Sequence, residues 1–482
     1  MGRETIHMAM LATLWGAVAH AGAPIVRIES GEVLGLEVGP AAVFRAVPYA
    51  APPVGALRWK PPVPARPWRE PRGAKTPGPA CPQKVTPGIP NLGGYFGPTD
   101  EDCLTLDITA PKAARRAPVM VWIYGGGNVA GATNLPSYDA VNFARDGVIV
   151  VAINYRLGAL GFFAHPALTA EAPKDQPLAN YGLMDQIAAL KWVKRNIAAF
   201  GGDPGNVTLF GESAGGEDVL QLMATPSAQG LFHNAIVQSG GGWSPAPGLA
   251  QAESRGAALA TRLGLAGGTA SAEQLRTIPA ADLAAVSASV GPVIDGRLIR
   301  QSVREAFARG AAAPVPLIIG SNSNEASLLG AAGQAPKTAL ARALFNDAAM
   351  GAPARWIAGK ASARAPAWLY YFSYVPERQR GIRPGTNHAS EIPFVFESLE
   401  AVPGRTPLIT PSERAEATLA HSCWVGFARV GRPDCAGGQV WPAYTPATDQ
   451  LLEFGDPAGV RTHFRKAQLD TQEAATARKD PR

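Results

Sequence analysis

The sequence has only four cysteines in 482 residues, and no C-x-x-C pair or Cys/His spacing among them suggests a metal site. No stretch beyond the N-terminus has the roughly 18 apolar residues that a membrane-spanning helix needs. The sequence also lacks a repeat period and low-complexity tracts. We therefore expect no metal, no membrane span and no repeat architecture.

Charged residues are scarce, at 17% of the chain, and their formal balance is +6. The basic residues are scattered, with short groups only at residues 112–116 and 478–479. Neither group is interleaved with aromatic residues as in a nucleic-acid groove. Solvated loop charges explain the pattern, so no nucleic-acid partner is predicted. Hydrophobic residues make up 46%, which is enough for a large buried core.

The N-terminus has the pattern of a removable export signal. Arg3 precedes a short apolar run, and an A-x-A-like cleavage site ends at Ala21. An N-terminal strand or anchor is the alternative. We expect residues 1–21 to be a signal peptide, residues 22–482 to form one domain, and the protein to be secreted or periplasmic.

The four cysteines fit an oxidising compartment. They allow three pairings, and the sequence alone does not choose among them. The sequence-local pairing joins Cys81 to Cys103 and Cys423 to Cys435. Four buried free thiols are the alternative.

Apolar runs of strand length alternate with helical patterns, which favours an α/β sheet with helices on both faces. Strands are predicted at residues 104–110, 119–124, 148–154, 207–210, 235–239, 316–320 and 368–375. Helices are predicted at about 180–200, 250–263 and 412–430. The first helix is predicted to be apolar on one face only, at Leu183, Ile187, Leu190, Val193, Ile197 and Phe200. The loop-rich and helical stretches are expected to form a cap near the site.

The stretch Gly211-Glu212-Ser213-Ala214-Gly215 matches the G-x-S-x-G nucleophile elbow. In this motif a strand turns sharply into a helix and presents the serine hydroxyl above the sheet. A short apolar run precedes the motif, as the elbow requires. Ser213 is therefore the candidate nucleophile, and the alternative is a bystander serine in a glycine-rich turn.

A nucleophilic serine needs an oxyanion hole, a base and an acid that orients the base. For the oxyanion hole, a glycine run follows the strand at residues 119–124, and Ala214 follows the serine. Glu325 comes shortly after a predicted buried strand and is the candidate acid. Among the three histidines beyond it, His421 lies in a predicted helix and His463 in a charged tail. His388 is therefore the candidate base.

The chain resembles the type-B carboxylesterases, a family that also contains cholinesterases and bile-salt lipases. The matching stretches, in chain order, are Pro48-Tyr-Ala, Pro53-Val-Gly-Ala-Leu-Arg-Trp59, Glu101-Asp-Cys-Leu104, Trp122-Ile-Tyr-Gly-Gly-Gly127, Asn154-Tyr-Arg-Leu-Gly158, Phe200-Gly-Gly-Asp-Pro204, Gly211-Glu-Ser-Ala-Gly-Gly216 and Trp441-Pro442. They span nearly all of the expected mature chain. The resemblance implies an α/β-hydrolase fold, that is, a large, mostly parallel central sheet with helices on both faces.

The resemblance also implies functional residues. It implies Ser213, Glu325 and His388 as the catalytic triad, with Glu212 in a supporting role. It further implies Gly126, Gly127 and Ala214 as the oxyanion donors, and a disulfide between Cys81 and Cys103. No cofactor or metal is required.

The sequence departs from the family pattern at several points. Glu217 and Asp218 replace a small residue followed by serine, and we expect that Asp218 near the site can raise the pKa of His388. Ala389 follows the histidine, where glycine is common, and the segment between the acid and the histidine is short. The first cysteine loop carries Tyr95 and Phe96 instead of the tryptophan of cholinesterases. Cholinesterase activity is therefore not implied.

The predicted activity is hydrolysis of small to medium carboxylic esters through an acyl-enzyme. An amidase or lactonase with the same triad, and a catalytically inactive binding module, are the alternatives. Trp243, Phe394 and Phe396 are either pocket walls or ordinary core residues. The sequence contains no signal for an oligomeric state.

Overall fold

The computed structural model describes residues 23–478, apart from residues 87–89, 91–92, 96, 244, 287–289 and 333–335. The predicted signal peptide and Phe96 lie outside the described residues. Across the part of the chain that is described, no helix has the length and apolar character needed to cross a membrane.

The strands in the described residues are β1 (Ile25–Ile28), β2 (Gly31–Leu34), β3 (Leu36–Val38), β4 (Ala41–Pro48), β5 (Arg72–Gly73), β6 (Thr105–Pro111), β7 (Ala117–Ile123), β8 (Ile149–Ile153), β9 (Gly202–Glu212), β10 (Asn234–Gln238), β11 (Leu317–Asn322), β12 (Ala367–Phe372), β13 (Gln450–Phe454) and β14 (Gly459–Thr462).

The α-helices in the same residues are α1 (Val141–Arg145), α2 (Gly158–Gly161), α3 (Pro166–Glu171), α4 (Tyr181–Asn196), α5 (Ala214–Ala224), α6 (Leu249–Arg262), α7 (Ala272–Arg276), α8 (Ala280–Ala285), α9 (Val303–Ala308), α10 (Ala339–Asn346), α11 (Ala352–Ala361), α12 (Ile392–Val395), α13 (Pro411–Val430) and α14 (Lys466–Arg478).

Eleven of the described strands form one large sheet in the order β14-β13-β12-β11-β10-β9-β7-β8-β6-β4-β3. The seven strands from β13 to β8 pair in parallel, and the strands at both edges pair antiparallel. Strands β8 and β10 are buried at every residue, as expected of strands covered on both faces. Helix α5 contacts β9 and β10, α11 contacts β11 and β12, and α13 contacts β7 and β9. The predicted α/β architecture is therefore confirmed, whereas the cap near the site stays a prediction.

Helix α4 differs from its predicted one-sided pattern. The predicted apolar face is buried, but Asp185, Gln186 and Trp192 are buried as well. The reason is tertiary, because α4 packs against α2, α5 and β9. A helix surrounded by other elements loses the simple two-faced pattern of a surface helix. The predicted stop is correct, since Gly201 adopts the left-handed conformation with φ of 82°.

Both predicted disulfides are formed, joining Cys81 to Cys103 and Cys423 to Cys435. Bonds over loops of 22 and 12 residues restrict the unfolded chain. We expect the Cys81→Ser/Cys103→Ser double variant to lose about 3 kcal/mol of unfolding free energy in the chain-entropy model. Urea unfolding of variant and wild type, each with and without reductant, measures this loss. Reduced and oxidised wild type of equal stability would contradict it.

Candidate active site

Ser213 lies at the junction of β9 and α5, with φ of 56° and ψ of −125°. Non-glycine residues rarely adopt positive φ, so the surrounding structure must hold this one in place. The serine N–H donates to the Gln238 carbonyl at 2.8 Å. The flanking glycines are required by space: a Cβ on Gly211 would lie 2.5 Å from the Gly215 carbonyl oxygen, and one on Gly215 would lie 2.1 Å from that of Ile123. The G-x-S-x-G motif therefore forms the predicted elbow.

Glu325 and His388 lie together although 63 residues separate them. The Nδ1 of His388 is 2.6 Å from Oε2 of Glu325. The other carboxylate oxygen accepts from the Ser239 hydroxyl and the Asn322 N–H, both at 2.6 Å. Glu325 is fully buried, so each of its oxygens is held in a defined direction. The carboxylate can thus hold the imidazole with its Nδ1 protonated and Nε2 directed away.

The loop that carries His388 is fastened to the segment that follows β11. The Asn324 N–H donates to the Thr386 carbonyl at 2.8 Å, and the Asn324 side-chain amide donates to Oδ1 of Asn387 at 2.7 Å. The His388 N–H donates to the Ser327 hydroxyl at 2.9 Å. These bonds hold the segment that leads into the histidine and the N–H of the histidine itself, so its position depends on the same strand end that supplies Glu325.

Glu212 is the connection between this histidine and the elbow. Its Oε1 lies 3.2 Å from Nε2 of His388. Both atoms are buried, and within the described residues neither forms a hydrogen bond, either with the other or with a third group. Because Glu212 precedes Ser213, the structure places the far nitrogen of the imidazole beside the elbow. The predicted nucleophile, base and acid therefore lie in one region.

The charges around His388 change how it titrates. Burial lowers the pKa of His388, but the nearby carboxylates of Glu212 and Glu325, with a further contribution from Glu391, outweigh burial and raise this pKa above 6.5. Burial also raises the pKa of Glu212, and the positive imidazolium opposes that rise. The two groups therefore titrate together.

The glycine run after β7 lies against the elbow. A Cβ on Gly125 would lie 2.7 Å from the Glu212 carbonyl oxygen and 2.8 Å from Cβ of Ser213. Gly126 and Gly127 have φ of 106° and 65°, and a Cβ on Gly126 would lie 2.2 Å from the Ala130 carbonyl oxygen. Only glycine combines this φ with so close a backbone approach. The structure therefore brings the predicted oxyanion loop next to the serine and to Ala214, the first residue of α5.

Polar residues of this site that were not predicted from the sequence include Ser239, Gln238, Asn322 and Glu391. Ser239 contacts Glu325, while Gln238 and Asn322 donate to the buried carboxylate of Glu391, Gln238 at 3.0 Å. Burial raises the pKa of Glu391. A usable signal exists, because β10 ends at Gln238 and β11 at Asn322, and functional groups collect at the carboxyl ends of parallel strands.

Asp218 has a different environment from the one expected. It is fully buried, and its carboxylate accepts from the side chains of Asn128 at 3.2 Å and Gln186 at 2.6 Å. The carboxylates that raise the pKa of His388 are instead those of Glu212, Glu325 and Glu391. Asp218 therefore contacts Asn128, the residue after the glycine run, and is not among the groups that raise the pKa of His388. Burial raises the pKa of Asp218, and that of its neighbour Glu217, to about 7.

The three aromatic residues predicted to be either pocket walls or core residues differ in their surroundings. Phe396 is fully buried and packs on Trp122 and Phe210, so it is a core residue. Phe394 is also buried, but it borders a cavity of about 490 Å³ beside the histidine loop. Trp243 is half-buried against Trp356.

One group of side chains in the described residues has the spacing of a metal site. Ligand atoms of Asp146, Glu397 and His421 lie within 4.8 Å of one another. Arg145 already pairs with both carboxylates at 2.6 Å. A cation there would have to displace the guanidinium, so the group is better described as an ion-pair cluster.

Comparison with known proteins agrees with this architecture. A model described as the Carboxylesterase family matches residues 22–342 and 332–472. Fumonisin B1 esterase from Sphingopyxis macrogoltabida is 35% identical over 479 residues, covering 89% of this chain and 86% of that protein. Para-nitrobenzyl esterase from Bacillus subtilis (strain 168) is 36% identical over 476 residues, covering 89% of this chain and 94% of that protein.

Solved carboxylesterase structures have the same fold as this chain. A PNB esterase structure superposes with a TM-score of 0.82 at 32% identity, covering 92% of this chain and 98% of that chain. A carboxylesterase from Geobacillus stearothermophilus has a TM-score of 0.81 at 30% identity, with coverage of 92% and 98%. The fold is that of an α/β-hydrolase. The chain belongs to the carboxylesterase family, as a type-B member: it is a carboxylic ester hydrolase, with small-molecule esters as its substrates.

Proposed function

We propose that the protein hydrolyses small to medium carboxylic esters through an acyl-enzyme formed on Ser213, with His388 as base and Glu325 as the residue that orients it. The observation that carries the proposal is the 2.6 Å contact between Glu325 and His388, with the other imidazole nitrogen directed at the residue before Ser213. This arrangement supports acyl-transfer catalysis, in which a nucleophile, a base and an orienting acid act together.

In the first half-reaction, Nε2 of His388 takes the proton from the Ser213 hydroxyl while the Ser213 oxygen attacks the ester carbonyl. The tetrahedral oxyanion accepts hydrogen bonds from the N–H groups of Gly126, Gly127 and Ala214. The protonated imidazole then gives its proton to the departing alcohol. Glu325 keeps the ring oriented and stabilises its cation.

In the second half-reaction, water takes the place of the alcohol. His388 removes a proton from this water, whose oxygen attacks the acyl carbonyl. The second tetrahedral intermediate then collapses: the bond to the Ser213 oxygen breaks, the imidazolium returns the proton to that oxygen, and the carboxylic acid is released. The chemistry requires a neutral imidazole at the start of each half-reaction. No cofactor takes part in the proposed steps.

The acid limb of kcat/KM reports the pKa of His388 in the free enzyme. An isolated imidazole would place loss of activity below about pH 6, since its pKa is roughly 6.5. The neighbouring carboxylates raise this pKa, so activity must fall as pH drops through a value above 6.5. In Glu212→Gln one negative charge is removed, and we expect the acid limb to move to lower pH. A limb that stays in place or moves upward would show that Glu212 does not stabilise the imidazolium.

Fumonisin B1 esterase and para-nitrobenzyl esterase are named after different esters. Their names therefore do not indicate which acyl group this protein prefers, and that preference must be measured. Hydrolysis of a p-nitrophenyl ester series from acetate to decanoate tests the proposed activity and ranks acyl size. Turnover of anilides or lactones with no turnover of esters would favour the amidase or lactonase alternative. A folded protein that hydrolyses none of them would favour the inactive binding module.

We further propose that residues 1–21 are an export signal, that residues 22–482 form one catalytic domain, and that the protein is secreted or periplasmic. The two disulfides support an oxidising compartment. The N-terminal residue of protein exported by a bacterial host tests this proposal. Protein that retains residues 1–21 after export would contradict it.

A further inference from the structure

Asp218 is a buried carboxylate that the proposed reaction does not use. It lies on α5, the helix that begins just after Ser213. Its oxygens are bound separately, one by Nδ2 of Asn128 at 3.2 Å and the other by Nε2 of Gln186 at 2.6 Å. All three side chains are almost completely buried. Burial of a carboxylate costs free energy, and the two hydrogen bonds to Asp218 offset part of that cost.

Asn128 connects this carboxylate to the glycine loop, because it directly follows Gly126 and Gly127. Its φ is 59°, an uncommon value for a residue other than glycine. Its carbonyl accepts from the Gly158 N–H at 2.7 Å. The backbone of Asn128 is thus held by Gly158, and its side chain is held by Asp218 on α5, the helix that follows Ser213.

This connection matters because the loop has no side chains of its own to hold it. Its glycines provide N–H groups at close range, but glycine also has the greatest backbone freedom. Oxyanion stabilisation requires donors within hydrogen-bond distance of a charge that exists only in the transition state. A displacement of about 1 Å is sufficient to lose much of that effect.

We propose that Asp218 is a positioning residue for the oxyanion loop: held by Gln186, it fixes Asn128 and so keeps the N–H groups of Gly126 and Gly127 aligned over Ser213. This inference rests on the proposed function. It assigns to Asp218 a role in transition-state stabilisation, acting through Asn128 and without contact to the substrate.

The test compares Asp218→Ala with wild type on one p-nitrophenyl ester. We expect kcat to fall about 10- to 100-fold, less than the full loss of an oxyanion donor, with KM changed by less than about threefold. A trifluoromethyl ketone inhibitor forms a hemiketal whose oxygen occupies the oxyanion position. Its inhibition constant should rise by the same factor as kcat/KM falls. Unchanged kcat, or a change confined to KM, would overturn the proposal.

Two further variants keep the test decisive if Asp218→Ala folds poorly. Asp218→Asn keeps one oxygen for Asn128. Gln186, whose Oε1 has no hydrogen-bond partner within the described residues, can turn its amide to accept from the new NH₂ group, so we expect kcat within about threefold of wild type. Asn128→Gly removes the other end of the contact while tolerating the positive φ. In the double variant, the losses of kcat from Asn128→Gly and Asp218→Ala should not multiply, because each substitution removes the same hydrogen bond. Multiplicative losses would contradict the proposal.

Asp295→Ala is the matched control. Asp295 is also a buried carboxylate, and it accepts from the N–H groups of Leu178 and Ile299 at 2.9 and 2.8 Å. We expect this variant to lose stability while the folded enzyme keeps its kcat. Equal losses of kcat in both variants would assign Asp218 a general structural role. If Ser213→Ala retains activity, the proposed function fails, whereas an active wild type with kcat unaltered in Asp218→Ala refutes this inference alone.

Discussion

Ser213→Ala is expected to lower kcat for p-nitrophenyl esters by about 10⁵-fold or more, because it removes the oxygen on which the proposed acyl-enzyme forms. The substitution removes one oxygen and keeps the Cβ, so the strained backbone at φ of 56° is unchanged. The free energy of unfolding should stay within about 1 kcal/mol of the wild-type value. Initial rates and urea unfolding on the same preparation measure both quantities.

Ser227→Ala is the control for this experiment. Ser227 is exposed at the surface, and its variant should have wild-type kcat and stability. Turnover by Ser213→Ala within about tenfold of wild type would contradict Ser213 as nucleophile. Loss of the folded state in that variant would assign the serine a structural role.

Glu325→Gln has the second largest expected effect, a fall in kcat of about 10³- to 10⁴-fold. The carboxylate receives hydrogen bonds from three directions: Nδ1 of His388, the Ser239 hydroxyl and the Asn322 N–H. An amide has one oxygen and one donor group, so it cannot accept all three. The imidazole then loses its orientation and the charge that stabilises its cation. Single-turnover acylation rates measure the effect directly.

Glu391→Gln is the matched control for Glu325→Gln. Glu391 belongs to the same buried network, but its hydrogen bonds come from Gln238 and Asn322, not from the histidine. Its replacement should lower kcat by less than about tenfold, since it affects His388 only through its charge. Equal losses in the two variants would show that the orienting role is not specific to Glu325.

The elbow and the proposed oxyanion loop can be predicted from the sequence because their requirements are local. The elbow needs glycine on both sides of the serine, and Gly211 and Gly215 have no room for a Cβ. The oxyanion loop needs positive φ, and Gly126 and Gly127 have it. Such constraints act over a few consecutive residues, so they remain visible in the sequence.

The unpredicted parts depend on contacts between distant segments. Gln238 ends β10 and Ser239 follows it. They meet Glu391, just before α12, and Glu325, which follows β11, only after the sheet has formed. Asp218 is adjacent to the elbow in sequence, yet its partner Asn128 is 90 residues away. The strands β13 and β14 and helix α14 were also missed, because β13 gains its partners from β12 and β14 only in the assembled sheet.

Reaction with diethyl p-nitrophenyl phosphate tests whether Ser213 is the nucleophile of an acyl-enzyme, because the phosphoryl group stays on the attacking oxygen and p-nitrophenolate is released. We predict one equivalent of p-nitrophenolate per active enzyme, complete loss of esterase activity, and a diethylphosphoryl group on the peptide that contains Ser213 by mass spectrometry. Labelling of another residue, or full activity in an enzyme labelled at Ser213, would contradict the account.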